Sequence, residues 1–320
     1  MSGRIVVGGE ALVDLVPAVP DATPAGTLAA LHPRLGGGPF NTAVGLARLD
    51  VDVSLLTRLS TDAFGDALAA RLAEQGVDDA LVQRGPEPST LAVVTVSDTG
   101  GARYSFHVAG AADREVADPG DLPGDTVAVA VGTLSLLLEP GASVYTALAL
   151  REAGRGRFLS LDPNVRPSLV VDPDALRGRL DALAAVAGLV KLSDEDARWW
   201  GRSPEDLLDL GAAAVVLTRG ADGLGARTLA AGRVDVPAGR GRPLVDTIGA
   251  GDSVHAALLA WCHRHDLLGP GRLAGLDAAA WTAGLEYAAT AAAITCSRAG
   301  AEPPYASELA ESTERPADMT

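Results

Sequence analysis

Arg157-Phe158-Leu159-Ser160-Leu161, then residues 173–186, then Leu189-Val190-Lys191-Leu192 form the stretch on which the fold turns. Two short apolar runs of strand length enclose an Ala/Leu-rich segment of helix length that opens on Pro173. Strand, helix and strand in that order make a crossover unit, and crossovers join parallel strands. The alternation continues outward in both directions. Upstream, strands are predicted at 4–8, 53–57 and 126–131, with helices at 39–49, 62–75 and 143–153; Pro39 falls in a first helical turn and Gly76 follows a last one. Downstream, a strand at 213–218 precedes helices near 251–265 and 277–296. The expected fold class is α/β, a doubly wound, mostly parallel sheet with helices on both faces.

Two segments interrupt the alternation. Residues 91–97 and 103–108 flank Asp98-Thr99-Gly100-Gly101, a hairpin turn, and residues 10–34 carry four prolines without a helical period. Both suit a small antiparallel sheet projecting from the main body, either as a flap that closes over a pocket or as an ordinary edge hairpin. The polar tail, 311–320, is expected to be disordered.

The composition narrows the function. The 320 residues hold 26 basic and 41 acidic side chains, a net charge of −15, which argues against nucleic acid as the main partner. At 48% apolar the chain can bury a substantial core. Two cysteines, Cys262 and Cys296, make no disulfide framework and point to a reducing cytoplasm. The N-terminus lacks the shape of a signal peptide, and no apolar run reaches the length of a membrane span. The single lysine, Lys191, follows Val190, so neither a Walker A loop nor a protein-kinase lysine strand is present.

Asp246-Thr247-Ile248-Gly249-Ala250-Gly251-Asp252-Ser253 is the strongest local signal. Val254, Leu258 and Trp261 lie at helical spacing after it, so a helix starts near Asp252. Glycines around Ala250 let successive amides point one way at an electropositive helix end, an anion hole that needs no lysine. Asp252 at its edge could accept a hydroxyl proton while the hole stabilises a transferring phosphoryl group. It could equally be an N-cap after a tight turn. Gly36-Gly37-Gly38-Pro39-Phe40-Asn41 also opens a helix; the glycines permit close approach to a ligand, and Asn41 can pair with a polyol, although a flexible linker reads the same way.

Other candidates are more equivocal. Asp14 interrupts an apolar run and either meets hydroxyls of a ligand or faces water. Arg166, in Asp162-Pro163-Asn164-Val165-Arg166, could neutralise a phosphate or sit in a surface loop. The acids of Ser193-Asp194-Glu195-Asp196 could hold the water shell of Mg²⁺ or complement a helix dipole. Thr218-Arg219-Gly220-Ala221-Asp222-Gly223 is a glycine-rich loop after a strand, suited to a nucleotide. His255 and Cys262 are two helical turns apart, too far for one zinc ion, and Trp199 and Trp200 read as packing.

The order of these motifs resembles the PfkB (ribokinase-like) carbohydrate kinase family over about residues 4–305. Gly8-Gly9 with Asp14, Gly-Gly-x-Pro-x-Asn, Thr61-Asp62-Ala63-Phe64-Gly65, Asp-Pro-Asn-x-Arg, Thr-Arg-Gly-x-x-Gly and Asp-Thr-x-Gly-Ala-Gly-Asp-Ser occur in that family's sequence. The resemblance implies one kinase domain over 1–310 with a β lid from about 10–34 and 88–110, and ATP-dependent phosphorylation of a sugar hydroxyl. It implies Asp252 as the base with the amides of Gly249, Ala250 and Gly251 as the anion hole. It implies Asp14, Gly37, Gly38, Asn41, Phe106 and Arg166 at the sugar, and Lys191, Ser193, Thr218, Gly220 and Gly223 at the nucleotide. Asp246, Ile248, Thr295 and Gly300 are similar to the monovalent-cation loop of some members, with K⁺ left open. The Mg²⁺ acid of the family, usually Asn-x-x-Glu, stands here as Ser193-x-x-Asp196, and Ser60-Thr61 replaces the usual glycine-acid pair before Asp62.

Arg103-Tyr104-Ser105-Phe106-His107, the Asp-Pro-Asn-Val-Arg-Pro-Ser run and Val-Lys-Leu-Ser look most like bacterial fructokinases; 2-keto-3-deoxygluconate kinases share much of the pattern and ribokinases less. The expected partners are ATP and a small sugar, with a homodimer compatible with lid pairing in the family. Two readings from other classes stand beside these: a non-catalytic sugar sensor, and a serine esterase in which Gly251-Asp252-Ser253 supplies Ser253 as nucleophile.

Overall fold

Runs such as Ile5-Val6-Val7 and Val127-Ala128-Val129-Ala130 are apolar at every position, the mark of strands covered on both faces. The computed structural model describes residues 3–18, 30–96, 102–239 and 242–314. In chain order it contains β1 (Arg4–Gly8), β2 (Leu12–Pro17), β3 (Leu31–Gly36), α1 (Gly38–Arg48), β4 (Val53–Ser60), α2 (Ala63–Glu74), β5 (Val82–Gly85), β6 (Thr90–Val96) and β7 (Ala102–His107). There follow β8 (Thr126–Gly132), α3 (Gly141–Gly154), β9 (Phe158–Asp162), α4 (Pro173–Ala184), β10 (Leu189–Ser193), α5 (Asp194–Trp200), α6 (Pro204–Leu210) and β11 (Val215–Thr218). The last elements are β12 (Leu224–Thr228), β13 (Gly232–Val236), α7 (Ala250–Arg264), α8 (Ala278–Cys296) and α9 (Ala306–Glu314).

Nine strands form the main sheet in the order β13-β12-β11-β10-β9-β8-β1-β4-β5. From β5 to β11 every pairing is parallel, and β12 and β13 close one edge antiparallel. Starting at β1, the chain first builds outward through β4 and β5, then returns to the other side at β8. The crevice between the β1 and β8 ends is thus the topological switch point, where doubly wound sheets bind ligands.

One sheet face packs on α1, α7 and α8 through residues such as Val44, Leu258 and Leu285. The other packs on α3, α4 and α6 through Tyr145, Leu180 and Leu207. Helix α7 is buried at every position from Asp252 to Cys262, so it is enclosed on all sides rather than amphipathic. Its start is aimed at the switch point.

The lid sheet has the order β3-β2-β6-β7. Its outer pairs are antiparallel as expected, whereas β2 and β6 pair in parallel. The cause is their shared origin: β2 leaves the end of β1 and β6 the end of β5, and those core strands point the same way. The predicted turn 98–101, residues 19–29 of the 10–34 segment and residues 315–320 of the predicted tail lie outside the described residues. Helix α9 extends to Glu314, into the segment expected to be tail. The β12–β13 hairpin and helices α5 and α6 were not foreseen.

The root of the lid is fastened at Asp62. Its carboxylate accepts the Gly65 amide at 2.8 Å, capping α2, and the Ser89 amide and hydroxyl at 2.9 and 2.8 Å, just before β6. This turn leaves no room at Gly65, where a Cβ would stand 1.9 Å from the Ser60 carbonyl oxygen. Gly65→Ala is expected to cost about 2 kcal/mol or more. Gly178→Ala, in α4 with open space around the site, should instead be neutral or stabilise by up to about 1 kcal/mol. Thermal melting of the two variants checks this; equal melting temperatures would contradict the packing described.

Candidate active site

The first turn of α7 is set by Gly249. Its φ of +74° lies in the left-handed region, and a Cβ there would press within 2.5 Å of Ala301. The helix then opens with few of its amides engaged. Ala250 donates to Thr247 O at 3.2 Å, whereas the amides of Gly249 and Gly251 have no acceptor among the described residues. Of the three amides expected at the anion hole, Gly249 and Gly251 are open donors, and Ala250 also closes the turn. Gly251 also keeps space for Lys191, whose Nζ lies 3.1 Å from where a Cβ would be.

Asp252 follows on the same turn and is 9% exposed. One carboxylate oxygen, Oδ2, accepts Asn41 Nδ2 at 2.8 Å. Burial raises the Asp252 pKa above the ordinary carboxylate value, while the Asn41 hydrogen bond, Lys191 and Arg166 pull it back. A buried carboxylate whose proton affinity is raised suits a general base. Asn41, expected at a polyol, therefore also orients this carboxylate.

Lys191 comes from β10 and is buried against Asp162 at the end of β9, with Nζ to Oδ2 at 2.8 Å. Burial pushes Asp162 up to about 6 although the ammonium opposes it. The ammonium is consequently held beside the start of α7 by a fixed counter-charge rather than by a mobile stem.

A cleft of about 310 Å³ brings these groups together. Asp14, Gly37, Gly38, Asn41, Phe106 and Arg166 line it, as do Lys191, Ser193, Asp196 and Thr218. Ile248, Gly249, Gly251 and Asp252 complete that part of the wall. Asp14 faces the cleft from the lid, and its pKa is raised to about 6, first by burial and then by the Asp252 charge, with Arg166 acting against them. Charged groups from β2, β10, α7 and the loop after β9 thus meet across one cavity.

Some expected residues lie elsewhere. Gly220 and Gly223 do not line the cleft. Gly223, at φ +89°, is required by the β11–β12 turn, where a Cβ would meet the Val236 carbonyl at 2.1 Å, and Gly220 is exposed at φ +54°. Asp196 borders the cleft, but its oxygens accept the Ser193 amide and hydroxyl at 2.9 and 2.7 Å and the Val165 amide at 2.8 Å. It is first a capping residue of α5. The Asp246 carboxylate joins the amides of Ile248 and Gly300 at 3.0 and 2.8 Å. Thr295 is fully buried, with its hydroxyl bonded to Ser253 and Ala291.

The cleft is also lined by residues outside the expected set, among them Glu10, Tyr104, Thr133 and Thr247. Tyr104 stacks near Phe106 with ring centroids 5.9 Å apart; the period-two spacing on a strand would have placed it on the same face. Thr133 has no such signature, because its place depends on backbone conformation.

The competing chemistries fail on geometry. Ser253 is buried and hydrogen-bonded to Thr295 at 2.7 Å, while His263 and His265 bond to Gly3 O and Trp261 O at the other end of α7. An esterase nucleophile there has neither access nor base. His255 pairs with Ser160 at 2.7 Å, and burial, followed by the Lys191 charge, lowers its pKa to about 3. No cluster of three or more His, Cys, Asp or Glu that could hold a metal occurs among the described residues.

Comparison with known proteins agrees with this architecture. A fructokinase from Rhizobium leguminosarum bv. trifolii is 37% identical over 281 residues, 85% of this chain and 84% of that one. A fructokinase from Klebsiella pneumoniae is 34% identical over 288 residues, 86% and 89% of the two chains. The crystal structure of fructokinase from Xylella fastidiosa with bound ATP superposes with a TM-score of 0.82 at 25% identity, covering 98% of this chain and all of that one. No helix among the described residues is long and apolar enough to cross a membrane. Residues 2–308 match the pfkB family carbohydrate kinase pattern, and the chain belongs to that family.

Proposed function

We propose that the protein is an ATP-dependent fructokinase that transfers the γ-phosphoryl group to the 6-hydroxyl of D-fructose. The observation that carries this reading is the placement of the buried Asp252 carboxylate beside the open amides of α7 and the Lys191 ammonium. Phosphoryl transfer asks little else of a protein than position and charge. The sugar would lie under the lid between Asp14 and Asp252, against Phe106 and Tyr104, with ATP along the end of β10 and β11 near Lys191, Ser193 and Thr218. Asp252 takes the proton of the attacking hydroxyl. The amides of Gly249 and Gly251 and the Lys191 ammonium meet the negative charge of the group in transit.

Magnesium fits as an ion that arrives on the nucleotide with its own waters, because the acids present form no protein cage. It would offset charge on the phosphates, with Asp196 at most in its outer shell. The loop tied by Asp246, Ile248 and Gly300 is the proposed place of a monovalent cation. Thr295 supplies no side-chain ligand there, since its hydroxyl is engaged. The names of the two sequence relatives support fructose over other sugars, and the intact base favours an enzyme over a sensor. We extend the proposal to a cytoplasmic homodimer through the lid, whose outer face carries half-buried Leu15, Leu91 and Val93 and exposed Leu31; sedimentation at micromolar concentration reads that.

ADP formation with fructose, ribose, 2-keto-3-deoxygluconate and adenosine tests the assignment. Fructose is expected to give the highest kcat/KM. Another best substrate would replace fructose alone, and no ADP with any sugar would contradict the kinase. Asp252→Asn should retain fructose and ATP binding while kcat falls by about 10²-fold or more.

The electrostatics give a second prediction. Asp14 ionises near 6 in the folded chain, against 3.8 unperturbed, so its charge destabilises the unliganded protein above pH 4 and most fully above pH 6. Asp14→Asn is expected to raise the stability of the unliganded protein at pH 8 by roughly 2–3 kcal/mol at most. The difference should shrink as pH falls toward 5, and fructose KM should rise at least about tenfold. A variant less stable than wild type at pH 8 would contradict the shift.

A further inference from the structure

The two strands that border the switch point end in an unusual way. After β1, Glu10 directs its carboxylate into the interior and is 3% exposed. After β8, Thr133 adopts φ +59°, a left-handed conformation that β-branched residues rarely take. Thr133 is nevertheless buried and lines the catalytic cleft. Residues held in such conformations persist only where their surroundings over-determine them.

Glu10 supplies that constraint. Its Oε1 accepts the Thr133 hydroxyl, and its Oε2 accepts the Ser135 hydroxyl and, at 3.1 Å, the Ser135 amide. The Ser135 oxygen in turn accepts the Glu10 amide at 2.6 Å. The Thr133 amide is fixed from the other side by Pro163 O at 3.2 Å. A buried carboxylate is costly unless its oxygens are paired, and these are paired almost entirely with the turn that holds Thr133.

Thr133 carries this restraint to the reacting centre. Its methyl carbon lies 2.6 Å from where a Cβ on Gly38 would stand, and Asp252 Oδ1 lies 3.4 Å from the same point. Gly38, Thr133 and Asp252 therefore crowd one corner of the cleft. Glu10 is also the root of the lid, two residues before β2, and its carbonyl oxygen lies 2.7 Å from the Cβ position of Gly37.

We infer that Glu10 is a positioning residue for phosphoryl transfer, acting through the strained Thr133 to fix the wall on which the Gly37–Gly38 loop and the Asp252 carboxylate are aligned. The inference rests on the kinase reading above. A residue that only stabilises the fold would lower the melting temperature and leave the turnover of folded enzyme unchanged. A positioning residue changes kcat, because a small misplacement at the reacting atoms is felt mainly in the transition state.

The test compares Thr133→Ser, Thr133→Val, Glu10→Gln and the double variant Glu10→Gln/Thr133→Val in steady-state phosphorylation of fructose by Mg-ATP. Thr133→Val keeps the shape and loses the hydroxyl; its kcat should fall about tenfold or more with both KM values within about threefold. Thr133→Ser should restore kcat to within about threefold of wild type. Glu10→Gln should lose kcat similarly, and in the Thr133→Val background it should cost nothing further, since the two act as one unit. If Glu10→Gln does not fold, the Thr133→Val and Thr133→Ser pair decides the matter. Unchanged kcat in Thr133→Val, a change in KM alone, or losses that multiply in the double variant would overturn the inference. Wild-type turnover in the same assay separates the two readings: an inactive wild type overturns the kinase and this assignment together, and an active wild type with indifferent variants overturns this assignment alone.

Discussion

A carboxylate kept away from water at the mouth of a helix is the constraint on which the rest of this molecule depends. Asp252 is unfavourable where it stands unless other groups compensate for its lost hydration. Asn41 donates to it from α1, and Lys191 and Arg166 lend positive charge from β10 and from the loop after β9. Each partner arrives on a different element, so the fold must assemble the sheet, the layer that holds α1 and α7, and the β9 loop before the acid is accommodated. The burial of α7 from Asp252 to Cys262 follows from the same need, because a helix that could shift would misplace the acid and the amides together.

The second tension is between two acids. Asp14 on the lid faces Asp252 on the body, and the Asp252 charge adds to the cost that burial sets on ionising Asp14. A polyol placed between them would offer hydroxyls to both carboxylates. Asp62, fastening α2 to the strand root at Ser89, and Glu10, fastening β1 to the β8 turn, set where the lid can sit while this happens. Function and fold stability oppose each other at Asp14, whose ionised form burial and the Asp252 charge disfavour.

Much of this was legible in the sequence. The apolar strand runs and the crossover spacing gave the parallel sheet, and the glycines before Asp252 gave the helix start. The failures have physical causes. The stretch 218–225 reads as a glycine-rich ligand loop, and Gly223 within it serves a hairpin turn, because a left-handed glycine suits either purpose. The acids after Ser193 read either as a metal shell or as complements of a helix dipole, and Asp196 forms a capping box with Ser193, since carboxylates at a helix start satisfy amides as readily as cations. Thr133 and Glu10 were invisible for another reason. Their contact spans 123 residues, and a left-handed threonine leaves no trace in composition or period.

The most direct test of the account is a crystal structure with ADP, magnesium, aluminium fluoride and fructose, in which the fluoride stands in for the phosphoryl group in flight. The account predicts fluorines within hydrogen-bond distance of the Gly249 and Gly251 amides, and the fructose 6-hydroxyl between the aluminium and a carboxylate oxygen of Asp252. Fluoride bound away from the α7 start, or an acceptor hydroxyl with Asp252 turned from it, would contradict it.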